Sequence, residues 1–180
     1  MPGRALCLVP ILWTALLGIW EAAALTALQV QKVTETENGD FVLGFRFSVD
    51  HSIQVTHLGK FDADGDGQLP NASRVALWRE SNRSLIVETT IPAGNEAALE
   101  AGFFYVPIAP QRLEPGSYVI GVQTFAGGES FGSNTELAVA RGLDSLQSRH
   151  KVSTLFRIPN LRRTNIRALV GANFKFTNLI

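Results

Sequence analysis

Phe41-Val42-Leu43-Gly44-Phe45-Arg46-Phe47-Ser48-Val49 reads as a β-strand with one apolar side. Phe41, Leu43, Phe45, Phe47 and Val49 share a face, and Arg46 and Ser48 take the other, which is the period of two of a half-buried sheet strand. Ile53 to Phe61 repeats the device, with Ile53, Val55, His57 and Phe61 opposite Gln54, Thr56 and Lys60. A second half-buried strand is expected there, with Lys60 on its wetter face.

Downstream, Val75 to Arg79 and Leu85 to Ile91 flank Glu80-Ser81-Asn82-Arg83-Ser84, the pattern of a hairpin with a polar turn. Phe103 to Ile108 reads as a strand broken at Pro110, and Glu114-Pro115-Gly116 as a turn into another at Ser117 to Phe125. Gly127-Gly128-Glu129-Ser130-Phe131-Gly132-Ser133-Asn134 is too glycine-rich for a regular element and is expected to form a mobile surface loop. Residues 135–165 carry mixed signals. Ala168 to Thr177, with Phe174 and Phe176 alternating against Asn173 and Lys175, reads as a closing strand. Short strands separated by Gly, Pro, Asn and Asp clusters are the rhythm of an all-β antiparallel sandwich, jelly-roll or immunoglobulin-like.

Residues 1–24 have the form of a secretory signal peptide: Arg4, an apolar run from Ala5 to Trp20, and small residues Ala22 and Ala24 ahead of a cut before Leu25. The run is short for a membrane span. A single β-sandwich domain over residues 25–180 is expected, secreted or at the cell surface, with no stable membrane span in the mature chain. Cleavage removes the only cysteine, Cys7, so packing or metal must supply the stability that disulfides give other exported domains. Sixteen basic residues balance sixteen acidic ones, so no net field draws the chain to nucleic acid.

One stretch carries chemistry. Phe61-Asp62-Ala63-Asp64-Gly65-Asp66-Gly67-Gln68-Leu69 follows the first half of an EF-hand loop, with carboxylates at positions one, three and five and glycine at six. Alternate carboxylates converge on one hard cation, and the glycine allows the turn that brings them together. Position nine is Pro70 and position twelve is Ser73 in place of a bidentate glutamate, and the flanks read as strands. The expected site is a strand-loop-strand Ca2+ site made by Asp62, Asp64, Asp66, the carbonyl of Gln68 and Asn71. The competing reading is a solvated turn, for which Asp and Gly are favoured without any ion.

His51, His57 and His150 form no ligand spacing, and His51 and His57 would stand roughly 20 Å apart on an extended strand. No nucleophile elbow, phosphate loop or zinc-protease motif occurs, so a non-enzymatic role is expected. Exposed aromatics on a sandwich can stack on sugar rings. Trp78, Tyr105 and Tyr118 are the candidates, with Glu129 and Asn134 of the glycine-rich loop as polar partners. The sequons Asn71-Ala72-Ser73 and Asn82-Arg83-Ser84 are assigned no role.

Leu43-Gly44-Phe45-Arg46-Phe47, Val55-Thr56-His57-Leu58-Gly59-Lys60-Phe61-Asp62 and Gly65-Asp66-Gly67 occur in a distinctive order, followed by Val75-Ala76-Leu77-Trp78, Thr90-Ile91-Pro92-Ala93-Gly94, Gly102-Phe103-Phe104-Tyr105-Val106 and Tyr118-Val119-Ile120-Gly121. The set resembles the domain of unknown function common in bacterial PEP-CTERM surface proteins. The likeness covers about residues 40–125, with an echo at Val170-Gly171-Ala172-Asn173-Phe174-Lys175-Phe176. It implies export, a β-sandwich and a surface or extracellular-matrix role, and no catalytic residues. The sorting tail of such proteins, Pro-Glu-Pro before an apolar span and an arginine cluster, is not found here. The functional expectation is a structural or adhesive surface protein that meets extracellular polysaccharide or other surface proteins. The alternative is a carbohydrate-binding module.

Overall fold

The computed structural model describes residues 23–162 and 168–179. Residues 1–22 of the expected signal peptide lie outside the described residues, as do 163–167 of the basic stretch. All the regular structure described is β. The strands are β1 (Leu25–Thr26), β2 (Leu28–Lys32), β3 (Glu35–Glu37), β4 (Phe41–Val49), β5 (Ile53–Phe61), β6 (Ser73–Arg79), β7 (Leu85–Ile91), β8 (Ala98–Glu100), β9 (Phe103–Leu113), β10 (Gly116–Thr124), β11 (Phe131–Ser133), β12 (Glu136–Val139), β13 (Leu143–Val152), β14 (Leu161–Arg162) and β15 (Ala172–Asn178). Among the described residues no helix is long and apolar enough to cross a membrane.

The fold is an antiparallel β-sandwich. One sheet runs β1-β15-β5-β9-β8 and the other β14-β13-β4-β10-β6-β7, with two short ribbons, β2-β12 and β3-β11, beside them. The apolar face of β4 points between the sheets as its alternation requires: Leu43, Phe45, Phe47 and Val49 are all buried. They meet Phe174 and Phe176 of β15 and Tyr118 of β10 in a chain of ring contacts, with Phe47 and Phe174 4.8 Å apart between centroids. Offset aromatic pairs of this kind add to the burial of the rings themselves.

Three strand expectations change. β5 does not keep one parity, because its register shifts against β9 between Val55 and His57 and against β15 at the level of Lys175 and Phe176. Past this bulge Leu58 joins Ile53 and Val55 in the core, and Lys60, expected on the wet face, turns inward to 1% exposure. β9 runs through Pro110 to Leu113, since β8 pairs only with Phe103 to Tyr105 and the proline positions face no second neighbour that needs an N–H. The glycine-rich stretch, expected to lack a regular element, contains one. Phe131–Ser133 pairs with Glu35–Glu37, Gly127 N–H donates to Asn38 Oδ1 at 2.8 Å, and Ala126 N–H donates to Asp40 Oδ1 at 3.0 Å.

Of the stretch 135–165, ambiguous in sequence, the described residues 135–162 supply β12, β13, β14 and a strap from Ser153 to Asn160 across the outer face of the six-stranded sheet. Gln123 Nε2 donates to Thr154 O at 3.1 Å, and Phe156 packs on Trp78 at 5.5 Å. Pro159 presses so closely on Gly121 that an added Cβ would stand 3.0 Å from its ring, so a side chain there would need Pro159 to give way.

The connection between β4 and β5 is fastened to the end of β15 by His51. Its Nε2 lies 3.0 Å from Asn178 Oδ1 and its Nδ1 meets the Asp50 carboxylate. Both bonds favour the imidazolium, Asn178 first, and raise the pKa above its ordinary value. The charged ring therefore stabilises the fold fully below about pH 6.5, and the contribution is lost as pH rises through the raised folded-state value. Urea midpoints measured from pH 6 to 8 are expected to fall with pH from this group, and His51→Gln to remove that part of the decline.

Candidate metal centre

The acidic loop leaves β5 at Phe61 and folds back on itself through Asx-type bonds. Asp62 is the hub. Its Oδ1 accepts from Gly65 N–H at 3.2 Å and its Oδ2 from Gly67 N–H at 3.1 Å. Asp64 Oδ1 accepts from Asp66 N–H, and Asp66 Oδ1 from Gln68 N–H at 2.7 Å. Gly67, with φ at +76°, makes the left-handed turn that an L side chain resists. Leu69 then closes the loop with a reciprocal bridge to Gly94, its N–H donating to Gly94 O at 3.0 Å.

One carboxylate oxygen from each of Asp62, Asp64 and Asp66 lies within 4.8 Å of the others. Oxygens bound 2.3–2.6 Å from one calcium ion stand at most about 5 Å apart, so the three fit a common hard cation. An all-oxygen donor set suits calcium and not the softer metals. Asp62 is buried at 5% exposure, while Asp64 and Asp66 face solvent and leave a path of entry.

A glutamate from far along the chain reaches the edge of the acidic loop, though it lies outside the three-aspartate cluster. Ser73 cannot serve, because its hydroxyl accepts from Lys60 Nζ at 2.7 Å between the two sheets. Glu129, sixty-six residues from Ala63, accepts from Ala63 N–H at 3.1 Å and is 3% exposed. Its carboxylate thus abuts the acidic loop. Sequence reasoning placed Glu129 in a glycan loop; the one available signal was the vacant twelfth position, which asks for an acid from elsewhere.

The electrostatics are those of crowded anions. Burial pushes the Asp62 carboxyl above the usual carboxylate range; Asp64 adds to the rise, and the Gly67 and Gly65 N–H groups oppose it. Glu129 is raised mainly by burial and then by Asp64. Lys60 is the nearby cation, and burial draws it down to about 8 despite the pull of Glu129. A divalent ion would relieve the repulsion that these shifts register.

Of the other expected ligands, Gln68 and Asn71 are exposed. Asn71 lies beside Gly128, where an added Cβ would come 2.8 Å from its Nδ2, so it faces the glycine-rich segment. The expected sugar platform does not exist. Trp78 is 6% exposed beneath Phe156, Tyr105 is 2% exposed beneath Lys175, whose Nζ lies 4.5 Å from the ring centre, and Tyr118 is fully buried against Phe47. β6 is covered on both sides, by the core and by the strap, so neither face offers its rings to solvent. Asn134 is half-buried, donating to Glu35 Oε2 at 2.9 Å, on the opposite flank of the β11 ribbon from Glu129. No family model matches the chain, and no curated protein matches it either.

Proposed function

We propose that the protein is an exported, non-catalytic β-sandwich with a structural or adhesive role at the cell surface or in the extracellular matrix, and that Ca2+ fastens its β5–β6 loop to the glycine-rich segment. The reading is carried by one observation: a nearly buried glutamate from a distant loop abuts a triplet of converging aspartates. An oxygen-only cluster coupled to the core through Asp62 is suited to holding loops in place, and a cysteine-free mature chain gains from such a staple. The secretory form of residues 1–24 and the resemblance to PEP-CTERM surface domains support the location. With Trp78, Tyr105 and Tyr118 buried, a sugar platform built on them is withdrawn.

The test is where the chain goes and what holds its loop. Antibody against the domain should label intact, unpermeabilised cells, and protease added to those cells should cut the β5–β6 loop faster in EGTA than in calcium. Recovery of the uncleaved chain from the cytoplasm alone overturns the proposal.

A further inference from the structure

Where the strap passes the tip of the β6–β7 hairpin it leaves a cavity of about 150 Å³ on the outer face of the six-stranded sheet. Val119, Ile158 and Pro159 give it an apolar floor and wall; Arg149, Arg83, Glu80 and Asn160 supply its polar groups. The charges are unequal. Glu80 is held by Arg46, whose Nε donates to Oε2 at 2.6 Å, and Arg46 is further anchored on Ser117 Oγ at 2.7 Å. The Arg149 side chain is only 14% exposed, yet its contact to Glu80 is a long 3.4 Å. The Arg83 guanidinium has no hydrogen bond or ion pair recorded among the described residues. The single carboxylate of the cavity is thus engaged by Arg46 and, at long range, by Arg149, while Arg83 lines the same cavity without contacting it.

Arg83 also stands in a left-handed backbone conformation, with φ at +58°, in a turn where glycine or asparagine would fit more easily. Strained backbone is retained where the surrounding structure and a use for the side chain hold it. Here it sets a free guanidinium at the mouth of the cavity.

We propose that this cavity binds the uronic acid unit of an acidic polysaccharide. The carboxylate would take the fork of Arg83 and the under-used donors of Arg149, since planar guanidinium groups match carboxylates two bonds at a time. Pro159, Ile158 and Val119 offer the apolar surface that the C–H face of a pyranose ring covers, and Glu80 and Asn160 can bond its hydroxyls. A bare phosphate would gain nothing from that floor. The inference uses no residue of the acidic loop, so it stands or falls apart from the calcium reading.

Titration calorimetry on the mature chain with D-glucuronate, D-glucose and inorganic phosphate tests it. Glucuronate is expected to bind in the millimolar range, with glucose and phosphate at least tenfold weaker. Arg83→Gly removes the guanidinium and the backbone strain together, so it should unfold at the same temperature or higher while losing at least tenfold in glucuronate affinity. Absence of glucuronate binding overturns the proposal. So does phosphate binding as tightly as glucuronate, or undiminished glucuronate affinity in a folded Arg83→Gly.

Discussion

Replacing Phe174 by alanine is expected to lower the free energy of unfolding by about 3–5 kcal/mol, enough to bring a domain of ordinary stability close to its limit. The ring is fully buried and touches Phe45 and Phe47 of the six-stranded sheet and Phe176 of its own strand, with centroids 6.3, 4.8 and 5.7 Å away. It sits where the two sheets face each other, so its loss opens a void that neither sheet can close without bending away from its own strand pairing. Urea unfolding followed by fluorescence measures the change. Val152→Ala, at a side chain 69% exposed, should move the midpoint by less than about 0.5 kcal/mol and serves as the reference. A Phe174→Ala chain as stable as that reference would mean that the sheets are held together elsewhere.

The second large effect is calcium's. With a dissociation constant near 0.1 mM, within the range of extracellular modules, 10 mM calcium would raise the unfolding free energy by about 2.7 kcal/mol over chelator. For a domain of this size that is roughly 5–10 °C in melting temperature. Asp62→Asn should lose most of this gain, because Asp62 supplies the buried carboxylate of the cluster while its amide oxygen can still accept one of the loop N–H bonds. Glu129→Gln should lose part of it and, in chelator, should be no less stable than the parent, since its carboxyl is already raised by burial and by Asp64. Calorimetric melts in calcium and in EGTA decide the matter: identical melting temperatures for the parent chain would leave the loop a plain solvated turn.

These two sites show what a sequence discloses and what it withholds. The core face of β4 was readable because nothing interrupts its alternation, and the β6–β7 hairpin because five polar residues separate two apolar runs. Lys60 was misplaced for the opposite reason. One extra residue near His57 reverses the parity of everything after it, and neither Thr56 nor His57 signals a bulge by type. Trp78 and Tyr105 looked available because period-two reasoning assigns one face of each strand to water. The strap from Ser153 to Asn160 and the two short ribbons cover those faces, and such covering is a property of topology. Glu129 belongs to the same class, since only the closed fold brings it to Ala63.

The place of β15 bears on the timing of folding. It lies inside the five-stranded sheet, pairing Leu25 and Thr26 of β1 on one side and Ile53 to Lys60 of β5 on the other. Until residues 172–178 have emerged, β5 lacks one neighbour, β1 lacks its partner in the sheet, and Phe45 and Phe47 lack the Phe174 ring that faces them from the other sheet. Pairing between segments so far apart in the chain is also slow, because the intervening loop must be closed before any contact rewards it. A polypeptide built this way keeps its five-stranded sheet open until β15 is available to fill it.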